Sequence, residues 1–253
     1  ARSVLGAVDL VACEDTRRTG RLLSSIGVER PLIAYHDHNE SEQAEVLLGH
    51  LKAGESVALV SDAGVPTISD PGLAVVRAAR AAEVAVVTIP GPNAALAALS
   101  VAGLATDRFV FEGFLPRRAG QRAARLEDIA SESRSLIFYE AVHRLEATLE
   151  ALEERFGSDR PAAIARELTK LHEQVATGSL AELRAGLGSE IPLKGEFVIV
   201  VAGRQGEDVV SDAEAERIYA ILARELPAKS AVAATAEITG LSRNDVYRLI
   251  RVK

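Results

Sequence analysis

Four short apolar runs near the start of the chain constrain its fold most, because helix-spaced segments separate them. The runs are "DLVACED" (9–15), "PLIAYH" (31–36), "SVALVSD" (56–62) and "VAVVTIPG" (84–91). Between them lie "RRTGRLLSSIG" (17–27), "ESEQAEVLLGHLKAG" (40–54) and "DPGLAVVRAARAAE" (70–83), whose apolar residues recur at helical intervals. Strands that alternate with helices do not pair as hairpins. They form a mostly parallel sheet covered by helices. Ligands of such sheets bind beyond the carboxyl ends of the strands. "LVSDAGVPTISDPG" (59–72) lies at such an end, and its "DPG" predicts a helix start with Asp70 as N-cap and Pro71 in the first turn.

Further on, "GPNAALAALSVAGLATD" (91–107) reads as an Ala-rich helix closed at Gly103. The texture then changes. "RFVFEGFLP" (108–116), "SLIFYEAVHRL" (135–145), "AAIARELTKLHEQVATG" (162–178) and "GEFVIVVAG" (195–203) supply strands with fewer helices between them, one of these near 143–156. This predicts an N-terminal α/β domain over 1–107 and a C-terminal α+β domain over 108–205. A polar linker follows, then a helical tail over 211–253. In the tail, "AKSAVAATAEITGLSRNDVYRLI" (228–250) reads as helix, Gly turn, helix, with Ser242 as N-cap and Asp245 at capping-box spacing. That pattern suits a helix-turn-helix unit or a plain helical hairpin.

Of the 253 residues, 48% are apolar and only 4% aromatic, so the cores must be aliphatic. The net charge of −7 argues against wholesale nucleic-acid or membrane binding, while leaving room for a local basic patch. No apolar run reaches the ~18 residues of a membrane span. The single cysteine, Cys13, reads as a buried strand residue. With no intramolecular disulfide possible, it fits a reducing cytoplasm. The signatures of dinucleotide, nucleotide, serine-hydrolase and zinc sites are missing.

Five local clusters have a functional reading, four of them beside a bland one. "YHDHNE" places His36 and His38 on one face of a strand end; polar loop residues or phosphate and ribose contacts suit them better than a metal, and no metal is expected. "CEDTRRTGRLL" sets Glu14 and Asp15 at a strand end, followed by Arg17, Arg18 and Arg21. This is either a capped helix with a solvated face or an acid pair beside phosphate contacts. "LPRRAGQRAAR" holds Arg117, Arg118, Arg122 and Arg125, a density that suits a polyanion or a solvated helix face. "ARELTKLHE" gathers Arg166, Glu167, Lys170, His172 and Glu173, as a salt-bridged surface or a site. In "PLKGEFVIVV", Gly195 lacks a Cβ, so the backbone could approach a ligand closely.

In order and spacing, "ACEDTRRTGRLL", "YHDHNE", "LVSDAGVPTISDPG", "PGPNAALAALSVAGL", "FEGFLPRR", "LIFYEAVHRL", "ARELTKLHE" and "KGEFVIVV" resemble the ribosomal RNA small subunit methyltransferase I family of the tetrapyrrole-methylase superfamily. The resemblance covers roughly residues 5–203, and the tail resembles the helix-turn-helix extension of many members. It implies two α/β domains of the tetrapyrrole-methylase type (class III methyltransferases), with S-adenosylmethionine in the cleft between them. It further implies methylation of a decoding-centre cytidine on its ribose 2′-hydroxyl, in small-subunit ribosomal RNA or the assembled small subunit. A homodimer is implied as well.

By the same resemblance, Asp62, Ala63, Gly64, Val65 and Ile68 contact the cofactor from the 59–72 loop, and Pro92, Asn93 and Ala94 from the next segment. Tyr139, Ala141, Leu168, Thr169, Glu196 and Phe197 form the second domain's side. The family's first cofactor loop, a "PTPIGN"-like stretch, has no counterpart here and would precede Ala1. The chain also contains no methionine. The expectation is a protein that begins upstream, checked by an intact mass above that of these 253 residues.

A 2′-hydroxyl needs a general base. Glu14, Asp15, Glu167 and Lys170 are the candidates, the first two ranked ahead for their place at a strand end. Arg17, Arg18, Arg21, Arg117, Arg118, Arg122 and Arg125, with His36 and His38, are the expected RNA contacts. Two other functions fit some of these features: a small-molecule methyltransferase acting on a tetrapyrrole, and a non-catalytic nucleic-acid binder using the tail.

Overall fold

The computed structural model describes residues 1–62, 64–205 and 212–251. By internal contacts it divides into two compact units, Ala1–Arg204 and Gln205–Lys253.

The first unit opens with α1 (Arg2–Ala7), β1 (Leu10–Cys13), α2 (Thr16–Ser25), β2 (Leu32–Ala34), α3 (Glu40–Lys52), β3 (Val57–Val60) and α4 (Leu73–Ala81). The strands form a parallel sheet in the order β2-β1-β3, with Val11 beside both Leu32 and Ala58. Alternation along β1 sorts its side chains between two faces. Leu10 and Ala12 join Tyr35, Leu47 and Val75 under α3 and α4, while Val11 packs with Val8 and Leu23 on the other face. Cys13 is fully buried there, as expected. The chain leaves β1 to one side for β2, then crosses to the other for β3. The carboxyl end of β1 is therefore the switch point where such sheets bind ligands.

Two local expectations fail in this half. Segment 84–91 forms no ladder with any described strand, and Val87 is 79% exposed. Its apolar, β-branched sequence suits an extended conformation, but a strand also needs a partner edge. Asp70 does not cap α4, whose N-cap position is Gly72. Instead Glu40 Oε1, in the first turn of α3, accepts from the Gly72 and Ala74 N–H groups at 2.9 and 3.1 Å. Tyr35 Oη donates to the same oxygen at 3.1 Å. The backbone donors of Gly72 and Ala74 hold the Glu40 carboxyl below its ordinary pKa.

The rest of the unit comprises α5 (Ala94–Val101), β4 (Phe109–Phe114), α6 (Ala119–Asp128), β5 (Ser135–Ala141), a 3-10 turn (Val142–Arg144), α7 (Leu145–Phe156), β6 (Pro161–Arg166), β7 (Gln174–Ser179), α8 (Leu180–Ala185) and β8 (Glu196–Val201). The sheet order is β4-β5-β8-β6-β7. The β4–β5 pair is parallel and the others antiparallel. Leu136, Phe138, Ile164 and Ile199 face the core under α6, α7 and α8, whereas Ile137, Ala163, Val198 and Val200 face α5. Sequence reading missed α8, whose short run is marked by the Ser179–Glu182 capping box.

The second unit contains α9 (Asp212–Leu222), α10 (Ala228–Thr239) and α11 (Arg243–Arg251). Gly240 turns the chain in the left-handed region at φ 72°, and Ser242 Oγ accepts from the Asp245 N–H at 3.1 Å, the predicted cap. No helix among the described residues is long and apolar enough to cross a membrane.

Candidate active site

The loop after β3, the segment before α5 and the ends of the second sheet's strands meet within the first unit. A Cβ built on Gly64, whose φ is +150°, would lie 3.6 Å from the Pro92 carbonyl, so the 59–72 loop and the 91–94 segment adjoin. Asn93 caps α5 by accepting from the Leu96 N–H at 3.1 Å, and the Ala95 N–H donates to Tyr139 Oη at 3.2 Å. Tyr139 packs edge-on against Phe111 and Phe114. With Ala94 and Leu168 it borders the core under α5. β4 is bulged between Phe111 and Gly113, and Gly113 sits at φ 64°. A Cβ there would meet Ser69 Oγ at 2.9 Å, so a glycine at this positive φ eases the approach of the loop to β4.

The other predicted cofactor positions gather at the same sheet end. Ala141 pairs with Glu196 across β5 and β8, and the Glu167 N–H donates to the Glu196 carbonyl at 3.0 Å. A Cβ on Gly195 would overlap the Glu167 side chain at 2.5 Å, so that glycine makes room for a glutamate. Thr67, Ser69, Glu167 and Thr169 all have positive φ, between 49° and 74°. Non-glycine residues in that region cluster at functional loops. Val65 is half-buried, Ile68 is exposed, and Ala63 lies outside the described residues. Phe197 buries its side chain in the core, which leaves only its backbone available to a ligand.

The four candidate bases are held in different electrostatic states. Burial, then repulsion from Asp70, raises the pKa of Glu14, against a smaller lowering by a hydrogen bond from the Asp62 backbone. Asp15 caps α2 through the Arg17 N–H at 2.8 Å and binds the Arg17 guanidinium at 3.0–3.2 Å. The Arg17 side chain and backbone hold its carboxyl at about 2. Lys170 Nζ bridges Glu167 and Glu196 at 2.8 and 2.9 Å, which raises the ammonium pKa and lowers that of Glu167. A base near neutral pH must exchange its proton there. Of the four, Glu14 alone is shifted toward that range.

The basic residues divide as well. Arg18 reaches Asp62 at 3.3 Å, tying α2 to the 59–72 loop, and Arg21 is exposed. Arg117 and Arg118 are exposed, and Arg122 is half-buried. Arg125 grips the nearly buried Glu112 through two bonds of 2.8 Å. The His36 and His38 rings lie edge-on, 6.0 Å apart. Sequence reading missed the place of Asp70 at the site. It accepts from the Ser61 hydroxyl and faces Glu14 and Tyr139. The "DPG" cap signal concealed that role.

A family model for tetrapyrrole (corrin/porphyrin) methylases matches residues 1–184, and one for the RsmI C-terminal HTH domain matches 209–250. Ribosomal RNA small subunit methyltransferase I of Xylella fastidiosa (strain Temecula1) is 51% identical over 248 residues, spanning 98% of this chain and 91% of that protein. The Pseudomonas aeruginosa protein of the same name is 48% identical over 252 residues, spanning 98% and 89%. Among solved structures, uroporphyrin-III C-methyltransferase from Thermus thermophilus, complexed with S-adenosyl homocysteine, superposes with a TM-score of 0.55. It is 20% identical and spans 80% of this chain and 89% of that one, a likeness of fold.

Proposed function

The chain belongs to the ribosomal RNA small subunit methyltransferase I family of tetrapyrrole methylases, and on that premise we propose that it methylates the ribose 2′-hydroxyl of a decoding-centre cytidine in small-subunit ribosomal RNA. The methyl donor is S-adenosylmethionine. The observation that carries this reading is the meeting of the 59–72 loop, the start of α5 and Tyr139 in one place.

The residues present fit that donor. Stretch 59–72 contains no lysine or arginine for a phosphate, and Glu14, Asp62 and Asp70 gather acidic charge beside it. Such a setting suits a cation carrying an adenosine. Asp62, Gly64, Val65 and Ile68 would hold it from one side, with Pro92, Asn93 and Ala94. Tyr139, Ala141, Leu168, Thr169, Glu196 and the Phe197 backbone would hold it from the other. When bound, it supplies a methyl group already activated for transfer.

The chain's own residues orient the ribose and handle its proton. Glu14, partly buried at the end of the central strand, takes the 2′-hydroxyl proton as the nucleophile forms. Asp15 and Lys170 serve as cap and clasp instead. Arg17, Arg18, Arg21, Arg117, Arg118 and Arg122, with His36 and His38, face the phosphates and sugars, so affinity for RNA falls steeply with added salt. The target base must be splayed out of the fold to be reached. A homodimer in the cytoplasm, where ribosomal subunits are found, completes the proposal.

A tetrapyrrole substrate is less well supported, because the relatives at 48–51% identity carry an RNA-directed name and the uroporphyrin enzyme is only 20% identical. Incubation with labelled S-adenosylmethionine and unmodified small subunits, then nucleoside analysis, should yield 2′-O-methylcytidine. No label in subunits or naked RNA, despite cofactor binding, would sink the proposal.

A further inference from the structure

Resting on the methyltransferase reading above, we infer that Glu140 and Arg144 are positioning residues that align the arginine-bearing segment after β4 with the cofactor side of the cleft. The Glu140 side chain is 0% exposed and that of Arg144 only 16%. Glu140 Oε1 accepts from the Ala141 N–H at 2.9 Å and lies 3.4 Å from Arg144 Nε. Its Oε2 accepts from Thr148 Oγ1 on α7 at 2.6 Å. Arg144 Nη2 then donates to the carbonyls of Leu115 and Pro116 at 2.7 and 3.3 Å.

One guanidinium thus spans two functional segments. On one side, Glu140 sits between Tyr139 and Ala141 at the end of β5. On the other, Pro116 directly precedes Arg117 and Arg118. Arg144 is too enclosed to meet a phosphate itself. A buried ion pair rarely stabilises a fold more than apolar side chains of the same volume would. What the planar guanidinium adds is a set angle between its acceptors, which a lysine ammonium cannot reproduce. That angle fixes the direction in which the chain leaves β4 for α6. The RNA is held by this segment and the methyl donor by the neighbouring strand end, so the angle sets how the ribose meets the methyl group. Small misplacements of reacting groups cost rate far more than affinity.

The test uses the whole chain with saturating S-adenosylmethionine and unmodified small subunits. Arg144→Lys is one variant. The second is the double variant Glu140→Leu/Arg144→Met, which keeps the volume and leaves no lone buried charge. Both should bind the cofactor and the subunits within about threefold of wild type, while the single-turnover rate falls roughly 10- to 100-fold. A rate within twofold of wild type overturns the inference. So does a loss explained by weaker binding of either ligand, or by a smaller folded fraction. Wild-type protein that methylates no RNA would instead overturn the reading on which the inference rests.

Discussion

The end of β1 and the turn after β6 make an instructive pair, because both set carboxylates beside basic residues at a strand end and both contributed candidate bases. After β6 the charges are matched. Lys170 sits between Glu167 and Glu196, so the ammonium is kept protonated and Glu167 ionised. After β1 they are not. Glu14 is partly buried beside Asp70, and its carboxyl is driven toward the neutral form. Asp15, one residue on, is committed to Arg17 and to the helix it caps. Matched charge gives a loop its shape, as the positive φ of Glu167 and Thr169 requires. Unmatched charge leaves a group able to exchange a proton.

Glu14→Gln breaks this contrast most severely. Removing a general base should lower the single-turnover rate by about 10²- to 10⁴-fold, with cofactor affinity little changed. The base works ionised, so the wild-type rate should fall as pH drops through a pKa above the ordinary 4.5. The variant should lack that limb. A carboxyl whose folded pKa is raised contributes stability below its unfolded pKa and loses it as pH rises through the folded value. Glu14→Gln should therefore melt above wild type at neutral pH, with the gap closing as pH falls toward about 4. Equal melting curves at neutral pH would show that the burial of Glu14 costs the fold nothing.

Lys170→Gln should have a smaller effect of another kind. It leaves Glu167 and Glu196 facing each other without their cation and loosens the turn that carries Leu168 and Thr169. Cofactor affinity, measured by titration, should weaken by about 3- to 10-fold, in keeping with a partly exposed ion pair. The acid limb of the rate should survive. Loss of that limb would make Lys170 part of the proton path after all.

Asp15→Asn should matter least at neutral pH, because asparagine is an equally good N-cap. Its rate should stay within about twofold of wild type. The difference should appear in acid. Arg17 holds Asp15 at about 2, so the wild-type carboxylate contributes stability above its ordinary 3.8 and loses it as pH falls toward 2. Melting curves of the variant should lack that step.

Legibility in the sequence followed the range of the interaction involved. The capped start of α2 and the Ser242 cap were readable, because a cap and its donor lie two or three residues apart. The strands of the first sheet were readable from their apolar runs. The run at 84–91 looked equally convincing, but a strand is a relation between two segments and no described strand pairs with this one. Asp70 was misread because the group that does its work, Glu40, lies 30 residues away and looks like an acid complementing its own helix. Lys170 was left open as a base because its second partner, Glu196, is 26 residues distant. The bulge at Gly113 and the Ser69 contact it admits are likewise products of tertiary approach.

The reach of Glu40 also carries a kinetic meaning. Its carboxylate serves the first turn of α4 only once α3 has docked and Tyr35 is buried beside it. The opening turn is the costly part of making any helix. For α4 that cost is met across a chain closure of some thirty residues, an expense local helices avoid. Order at the start of α4, and at the far end of the 59–72 loop, therefore depends on the docking of α3.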